Sequence, residues 1–412
     1  MIFKLHVIIV KQCWDNDPAD RPETRLIFNT LKQIIPNETL SQNNPIEASA
    51  QFIESLRKEA YEFFEQGKFL KALEFFEEIL KNGQHSPEDQ VKATAWDLSR
   101  NRGFENFSEL IMALRKNTML TSLDLDSNEL GPFGGRLLSE ALCKNTTLTS
   151  LILKENNLGS KGGKLLSERG KALASALCKN TTLTSLNLEN NNLGSEGGEA
   201  LADALYSNSS LNFLNIRSNN LGLRGGYVLV KALCKNTTLK NLDIRDNNLK
   251  GGEAIVDALC KNTALTSLDL CENGLGPKEI NILLADVLCN IIMLTSLNLE
   301  KNKLGSEGGK ALADALCKNS TLTSLNLYFN NLGSEGGKAL ADALCKNSTL
   351  TSLNLRYNNL GSEGGKALAD ALCKNSTLKD LNLDNNNLES EGGKALADAL
   401  LQELHTDFFE SL

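Results

Sequence analysis

The chain has 412 residues, which exceeds one ordinary domain unless the fold grows by adding repeated units. Hydrophobic residues make up 41% of the chain and charged residues 23%, which indicates a globular protein rather than a disordered one. The net charge of −8 argues against a nucleic-acid partner, and no apolar stretch reaches the roughly 18 residues that a membrane helix requires.

Residues 1–36 carry a motif that reads CW, then DP, then RP. The motif residues are Cys13, Trp14, Asp17, Pro18, Arg21 and Pro22. This segment resembles the end of the catalytic domain of tyrosine-kinase-like protein kinases, which implies the tail of a truncated kinase lobe; the alternative is a chance helical hairpin. The chain has no Gly-rich loop, strand lysine, H-R-D or D-F-G motif, so we expect no kinase activity in it.

Residues 37–48 are rich in Asn and Gln and are predicted to be a linker. Residues 49–84 then resemble a tetratricopeptide-like helical pair in the spacing of their apolar and small residues. These are Leu56, Ala60, Phe63, Gly67, Phe69, Ala72 and Phe76. One such pair cannot form a peptide groove, because repeat arrays need about three units. We therefore expect the pair to cap the array that follows, or to space it from the kinase-like segment.

From residue 93 to residue 412 the sequence repeats the pattern LxxLxLxxNxL, mostly every 28 residues. Ten units are anchored on their first leucine, at Leu120, Leu148, Leu183, Leu211, Leu239, Leu265, Leu294, Leu322, Leu350 and Leu378. An eroded unit precedes them near Ala93, with Trp96 and Leu98 at motif positions. Because one unit cannot bury its own leucines, stability must come from stacked neighbours.

The sequence pattern of each unit predicts a short strand, a turn and a helix. In stretches such as TSLNLEN the leucines alternate with polar residues, which is typical of a half-buried strand. Downstream, Leu312, Ala315 and Leu316 recur at helical spacing and predict a buried stripe. We place the N-cap of this helix at Ser306 and its end at Asn319, in the left-handed conformation that asparagine tolerates.

Strand, helix and parallel strand form a right-handed crossover, repeated along the chain. Strands stack about 4.8 Å apart, whereas packed helices need about 8–10 Å, so the array must curve. The predicted fold is an α/β solenoid of the horseshoe type, with a parallel sheet inside and helices outside. A small α-helical region precedes it.

One asparagine follows the strand in every regular unit, and we call this set the strand asparagines. They are Asn128, Asn156, Asn191, Asn219, Asn247, Asn273, Asn302, Asn330, Asn358 and Asn386. A side-chain amide has both a donor and an acceptor, so it can satisfy backbone groups that lose water at the turn. The predicted role is therefore structural rather than catalytic.

The 28-residue unit, with a helix that ends ALCKN, resembles the ribonuclease-inhibitor class of leucine-rich repeats. That class includes the inhibitor itself, the sensor arrays of NOD-like receptors and Ran GTPase-activating proteins. The resemblance covers residues 93–412 and implies a protein partner on the concave face. The chain shows no motif for a metal or a cofactor, and we expect neither.

Eight of the ten cysteines share one helical position: Cys143, Cys178, Cys234, Cys260, Cys289, Cys317, Cys345 and Cys373. Equivalent positions on packed helices lie beyond the roughly 7 Å limit between bridged Cα atoms. We therefore expect small, buried, reduced thiols rather than disulfides. Reduced thiols point to the cytoplasm, or to the nucleus.

The strand residues between the buried leucines should face the concavity, and in the early units they are mostly Ser, Asn and acidic residues. Six candidates for partner binding depart from this composition: Arg217, Arg245, Tyr328, Phe329, Arg356 and Tyr357. Arginine and aromatic residues are enriched among the anchors of protein interfaces. The alternative explanation is ordinary drift among repeats.

The predicted function is a non-catalytic scaffold for protein–protein interaction, present as a monomer. Two alternatives are a GTPase-activating protein of the Ran-activator type and the sensor part of a kinase-coupled signalling protein. An immune ATPase receptor is disfavoured, because the chain has no GxxxxGK[ST] phosphate loop.

Overall fold

The computed structural model describes six stretches of the chain, residues 45–83, 85–101, 105–159, 166–249, 262–278 and 293–410. The kinase-like segment 1–36 lies outside these stretches, as do Cys13, Cys260 and Cys289. What the sequence suggests about those residues stays a prediction.

Two helices, α1 (Pro45–Glu65) and α2 (Phe69–Lys81), pack against each other at the start of the described chain. They share a buried core of Ile53, Leu56, Ala60, Ala72, Phe76 and Ile79. Helix α1 begins inside the segment 37–48, so the predicted linker is too long at its C-terminal end. Proline suits the first turn of a helix, because its missing N–H needs no partner there.

The helical pair is joined to the array by a group of aromatic rings. The ring of Trp96, on the first strand, lies 5.2 Å from that of Phe64 and 5.5 Å from that of Phe69. Phe69, Leu73 and Trp96 belong to the same buried core as the leucines of the repeats. The pair therefore covers the open end of the first unit, which is one of the two roles predicted for it.

A third helix, α3 (Pro87–Thr94), leads into the first strand and is held to α1 by an ion pair. The Arg57 guanidinium donates to both carboxylate oxygens of Asp89, at 2.7 and 2.6 Å. Asp89 also completes a capping box with Ser86 at the start of α3. The hydrogen bonds from Arg57 lower the pKa of Asp89 to about 2, so the carboxylate is charged at neutral pH and fixes this helix.

Eleven strands of three residues form one parallel sheet in sequence order. They are β1 (Ala95–Asp97), β2 (Ser122–Asp124), β3 (Ser150–Ile152), β4 (Ser185–Asn187), β5 (Phe213–Asn215), β6 (Asn241–Asp243), β7 (Ser267–Asp269), β8 (Ser296–Asn298), β9 (Ser324–Asn326), β10 (Ser352–Asn354) and β11 (Asp380–Asn382). Central residues are in register, as Leu325 is with Leu353. Trp96 pairs with Leu123, so the eroded first unit also contributes a strand.

Helices alternate with these strands. Those described are α4 (Phe107–Lys116), α5 (Gly131–Leu142), α6 (Leu166–Lys179), α7 (Gly194–Ser207), α8 (Gly222–Leu233), α9 (Gly305–Leu316), α10 (Gly333–Leu344), α11 (Gly361–Leu372) and α12 (Glu389–Glu410). Neighbouring helices come close where two glycines meet, since a Cβ on Gly309 would lie 2.9 Å from the Cα of Gly336. The predicted curved α/β solenoid, with the sheet inside and the helices outside, is confirmed.

Asn330 shows how the strand asparagines join successive units. Its Nδ2 donates to the backbone oxygen of Leu299 in the preceding unit at 2.8 Å and to that of Leu327 in its own unit at 3.0 Å. Its Oδ1 accepts from the backbone N–H of Asn302 at 2.9 Å. The side chain is completely buried, and its predicted structural role is confirmed.

A second asparagine column follows the helices, and we call its members the helix asparagines. They are Asn117, Asn145, Asn180, Asn208, Asn236, Asn262, Asn319, Asn347 and Asn375. The Nδ2 of Asn347 donates to the backbone oxygen of Leu316 at 2.9 Å, and its Oδ1 accepts from the N–H of Leu350 at 2.8 Å. These bonds tie the start of each strand to the end of the helix in the preceding unit.

The predicted left-handed conformation at the helix end, Asn319, is wrong, because its φ is not positive. The backbone of this column is extended, with ψ of 130° at Asn208 and 136° at Asn117. An extended backbone lets the amide turn inward and reach the N–H three residues ahead. The side chain therefore ends the helix by hydrogen bonding rather than by tolerance of a positive φ.

The predicted N-cap at Ser306 is also wrong. Helix α9 begins at Gly305, and no side chain of its own unit caps it. Instead, the N–H of Gly305 donates to the backbone oxygen of Asn330 at 3.0 Å, and the N–H of Leu304 approaches its Oδ1 at 3.5 Å. The next unit thus supplies the acceptors that a serine cap would otherwise provide.

The predicted burial of the cysteines is wrong for most of those that the structure describes. Cys143, Cys178, Cys317, Cys345 and Cys373 are exposed. The buried face of the helix ends at the preceding leucine, and the next residue lies on the solvent side. Cys234 is half-buried, and Cys271, which stands outside this column, is buried.

Replacing a strand asparagine should destabilise the array strongly. Asn330→Ala would leave the N–H of Asn302 without its partner. It would also remove one of the two amide donors to the oxygens of Leu299 and Leu327, which keep Asn302 and Asn358. A buried group that loses its partner costs about 1–3 kcal/mol, so we expect a loss of about 2 kcal/mol or more in urea unfolding of the full chain. Asn331→Gly is the control, because Gly274 holds that position in another unit. Equal stability of the two variants would contradict this role.

Thiol labelling should separate the cysteines by exposure. A maleimide applied to the native protein, followed by peptide mass spectrometry, should modify the five exposed thiols. Cys271 should react only after denaturation, because burial raises its pKa to about 12 and blocks access to it. Disulfide-linked peptides from freshly isolated protein, or equally rapid labelling of Cys271, would contradict this assignment.

Candidate functional site

The candidate residues occupy the turn that follows a strand. In the β9 unit the N–H of Tyr328 donates to the Oδ1 of Asn326 at 3.0 Å. The same bond joins Arg356 to Asn354 at 3.1 Å in the β10 unit. We call the positions equivalent to Tyr328 the concave column, and the positions that come next, equivalent to Phe329, the rim column. This local hydrogen bond places both columns identically in successive units.

Four of the six predicted residues lie together, and we call them the aromatic patch: Tyr328, Phe329, Arg356 and Tyr357. The rings of Tyr328 and Tyr357 meet edge to face, with centroids 5.6 Å apart. The ring of Phe329 lies 6.0 Å from that of Tyr328 and 6.1 Å from that of Tyr357. Contacts at these distances are favourable aromatic pairs, so the patch is a single preformed surface.

Two residues of the aromatic patch have an unfavourable backbone conformation. Phe329 and Tyr357 have φ values of +55° and +56°, and this left-handed region costs roughly 1–2 kcal/mol per residue for most side chains. The other units place small or charged residues in the rim column, namely Ser127, Glu155, Asn190, Ser218, Asp246, Glu272, Lys301 and Asn385. Since Phe329 is 56% exposed and Tyr357 39% exposed, burial compensates for only part of this cost.

Arg356 is held over the aromatic rings and retains unused hydrogen-bond donors. Its guanidinium carbon lies 5.1 Å from the ring centre of Tyr357 and 5.9 Å from that of Tyr328. Its ion pair within the described chain joins Nε to Asp384 at 3.9 Å, which is too long for a hydrogen bond. Stacking therefore orients the guanidinium without satisfying its N–H groups.

Arg217 and Arg245 lie apart from the aromatic patch, in the β5 and β6 units, with β7 and β8 between. The Nε of Arg245 donates to both carboxylate oxygens of Asp243 at 2.9 Å, and Asp269 adds an ion pair at 3.4 Å. The hydrogen bonds that Arg245 donates to Asp243 raise the pKa of Arg245 further above its ordinary value. Arg217 forms a longer ion pair with Glu189, at 3.9 Å. Arg245 is thus largely neutralised by its own chain.

A groove of about 890 Å³ runs along the rim and ends at the aromatic patch. It is lined by the rim column of five successive units, Asp246, Glu272, Lys301, Phe329 and Tyr357, and by Lys303 and three exposed asparagines, Asn248, Asn331 and Asn359. Sequence reasoning missed all of these except the two aromatics. The signal that could have revealed them is the change in the rim column from Ser and Asn to charged and aromatic residues.

The described residues hold neither a candidate metal site nor a membrane-spanning helix. They contain no group of three or more His, Cys, Asp or Glu side chains that could hold a metal ion. None of the described helices is both long enough and apolar enough to cross a membrane.

The repeated strand, turn and helix, with an asparagine column at each end of the strand, define a leucine-rich-repeat solenoid. The family described as leucine-rich repeat matches nine segments that together span just over half of the chain, at residues 116–139, 144–167, 179–202, 207–230, 235–255, 291–313, 318–341, 346–369 and 374–397. The chain belongs to this family.

Several solved structures are similar to the chain. The leucine-rich repeat-containing protein LegL7 from Legionella pneumophila is 25% identical, with a TM-score of 0.45, over 77% of this chain and 95% of that one. A structure of the Rad7 and Elc1 complex in yeast matches with 18% identity and a TM-score of 0.41, over 87% of this chain and 91% of that one. The tropomodulin C-terminal domain of Caenorhabditis elegans matches with 14% identity and a TM-score of 0.30, over 46% and 97%. No curated protein matches the sequence.

Replacing Phe329 should leave the fold nearly unchanged. Phe329→Asn relieves a strain of roughly 1–2 kcal/mol but loses ring contacts worth about 0.5–1.5 kcal/mol. We therefore expect the free energy of unfolding in urea to change by less than about 1 kcal/mol. Leu327→Ala, at a fully buried neighbour, should instead cost about 2–5 kcal/mol. A similar loss in both variants would assign Phe329 to the core rather than to the surface.

Proposed function

We propose that the protein is a non-enzymatic scaffold that binds a protein partner on its concave face, with the aromatic patch as the anchor. The observation that carries this proposal is the preformed contact of three aromatic rings with an arginine whose donors are unused. Anchors of protein interfaces are commonly aromatic residues and arginines that lose little freedom on binding. The patch combines both features on two adjacent units.

The remaining conspicuous residues are already used by the fold. The leucines of the repeat pattern are buried, and the side-chain amides of both asparagine columns form hydrogen bonds to backbone groups. What is left for a partner is the set of strand and turn side chains, of which the aromatic patch is the most apolar group. A partner that covers Phe329 and offers a carboxylate to Arg356 would complement this patch in shape and in charge.

The alternatives gain less support from the geometry. A GTPase activator of the Ran-activator type would need an arginine positioned to reach a phosphate. Arg245 is neutralised by Asp243 and Asp269, and Arg356 is held against the rings of Tyr328 and Tyr357. A sensor in a kinase-coupled protein depends on residues 1–36, which lie outside the described chain. We further propose that the protein is a monomer of the cytoplasm or nucleus and works without a cofactor.

Affinity capture with the full chain as bait, read out by mass spectrometry, tests the scaffold. The full chain is required because α1 and α2 cover the first unit, and bait that lacked them would expose Trp96. The triple variant with Tyr328→Ala, Arg356→Ala and Tyr357→Ala should no longer capture the partner that the wild-type protein captures, since truncating an anchor costs about 2 kcal/mol or more.

The matched control carries the same changes at the same positions of two early units: Asp126→Ala, Lys154→Ala and Glu155→Ala. This control should capture the partner at the wild-type level. Retention of the same partner by the patch variant, or its loss from the control alone, would remove the aromatic patch as the anchor.

A further inference from the structure

We propose that the rim groove binds an extended peptide segment of the partner. The segment would carry a basic residue at the Asp246 end and an apolar residue beside an acidic one at the end formed by Phe329 and Tyr357. This inference rests on the proposed function, because it names the chemistry of the segment that a protein partner would present.

The length of the groove fits an extended peptide. Its rim residues come from five consecutive units, from Asp246 to Tyr357. At a strand spacing of about 4.8 Å, four intervals span roughly 19 Å, the length of about six residues in an extended chain. An α-helix with its side chains is about 10–12 Å across, so it would need a wider groove than an extended chain does.

The charges along the groove are ordered. Asp246 is exposed, accepts a hydrogen bond from the hydroxyl of Ser218 at 2.8 Å, and has no ion-pair partner within the described stretches. Glu272 and Lys301 neutralise each other at 2.6 Å. Lys303, one unit beyond Glu272, is exposed and has no acidic partner among the described residues. The groove is thus acidic at the Asp246 end, and its unpaired positive charge, Lys303, lies in the central unit next to the aromatic patch.

The exposed asparagines of the groove can bond to a peptide backbone. The Nδ2 of Asn359 donates to the Oδ1 of Asn331 at 3.1 Å, which leaves the Nδ2 of Asn331 available. The amide of Asn248 forms no side-chain hydrogen bond within the described chain. The strand asparagines fill the inside of these turns, and the exposed asparagines lie on the outside. Their amides can therefore bond to the backbone N–H and C=O groups of an extended peptide.

The aromatic end supplies the apolar contact. Phe329 and Tyr357 both line the groove and both have the strained backbone conformation described above. A bound aliphatic or aromatic side chain would cover the exposed face of Phe329. An acidic residue next to it on the same peptide could pair with Lys303, which has no acidic partner among the described residues.

A display library of random peptides of about seven residues, selected on the immobilised full chain, tests the inference. We expect enrichment of sequences with Lys or Arg at one end and, three to five positions away, an apolar residue beside Asp or Glu. The synthetic consensus peptide is then titrated by fluorescence polarisation. Asp246→Lys and Lys303→Glu should each weaken binding by about tenfold, and peptides with the matching charge reversed should restore it.

Two variants serve as controls. Glu155→Lys reverses a charge in the same rim column outside the groove and should leave binding unchanged. Phe329→Asn should weaken binding of every enriched peptide, whatever its charges, because it removes the apolar wall while keeping a residue that the turn accepts. Restoration by charge-reversed peptides is a readout that loss of folding could not produce.

Three results would overturn the inference. One is the absence of an enriched motif, or a motif unaffected by Asp246→Lys and Lys303→Glu. Another is competition by a synthetic peptide of residues 4–15, which would mean that the chain occupies its own groove. The third is a partner protein that the patch variant fails to capture but that Asp246→Lys and Lys303→Glu both capture. That result would support the proposed function and exclude the groove as the binding site.

Discussion

The buried side-chain amide of each strand asparagine holds one repeat to the next. In Asn330 the donor reaches the carbonyl of Leu299, while the acceptor takes the N–H of Asn302 and lies near that of Leu304. A strand of three residues offers few ladder bonds, and one unit cannot bury its own leucines. These amide contacts therefore set the register in which the leucines stack. The helix asparagines, such as Asn347, do the same at the other end of the strand.

A consequence is that folding and binding use different positions of the same unit. The leucines and both asparagine columns face inward, and changes there act on the whole array. Apart from the buried Cys271, the concave and rim columns that the structure describes face outward and contain Ser, Glu, Lys, Arg and Tyr at equivalent places. The rim column keeps a positive φ whatever its side chain, and its backbone N–H bonds to the next unit, as that of Phe329 does to the oxygen of Arg356. A binding surface can thus change from unit to unit while the scaffold stays constant.

The sheet, its register and the strand asparagines could be predicted from the sequence, because all three follow from a repeat of 28 residues. The predictions failed where a residue depends on the neighbouring unit. Ser306 does not cap α9, because Asn330 of the next unit already supplies acceptors. Cys317 is exposed, because the buried stripe ends one residue earlier. The rim groove was missed, since alternation along a strand does not predict which turn residues point to the rim; only a comparison of the rim column from unit to unit would have indicated it.

The central claim is that the residues that fold this protein are distinct from those that bind its partner. Its most direct test is the protease resistance of all single substitutions within residues 322–349 of the full chain. We expect Leu325, Asn330 and Asn347 to tolerate almost no replacement, and Tyr328 and Phe329 to tolerate most polar residues. Equal intolerance at Tyr328, Phe329 and Asn330 would contradict the claim, because the aromatic patch would then be part of the fold.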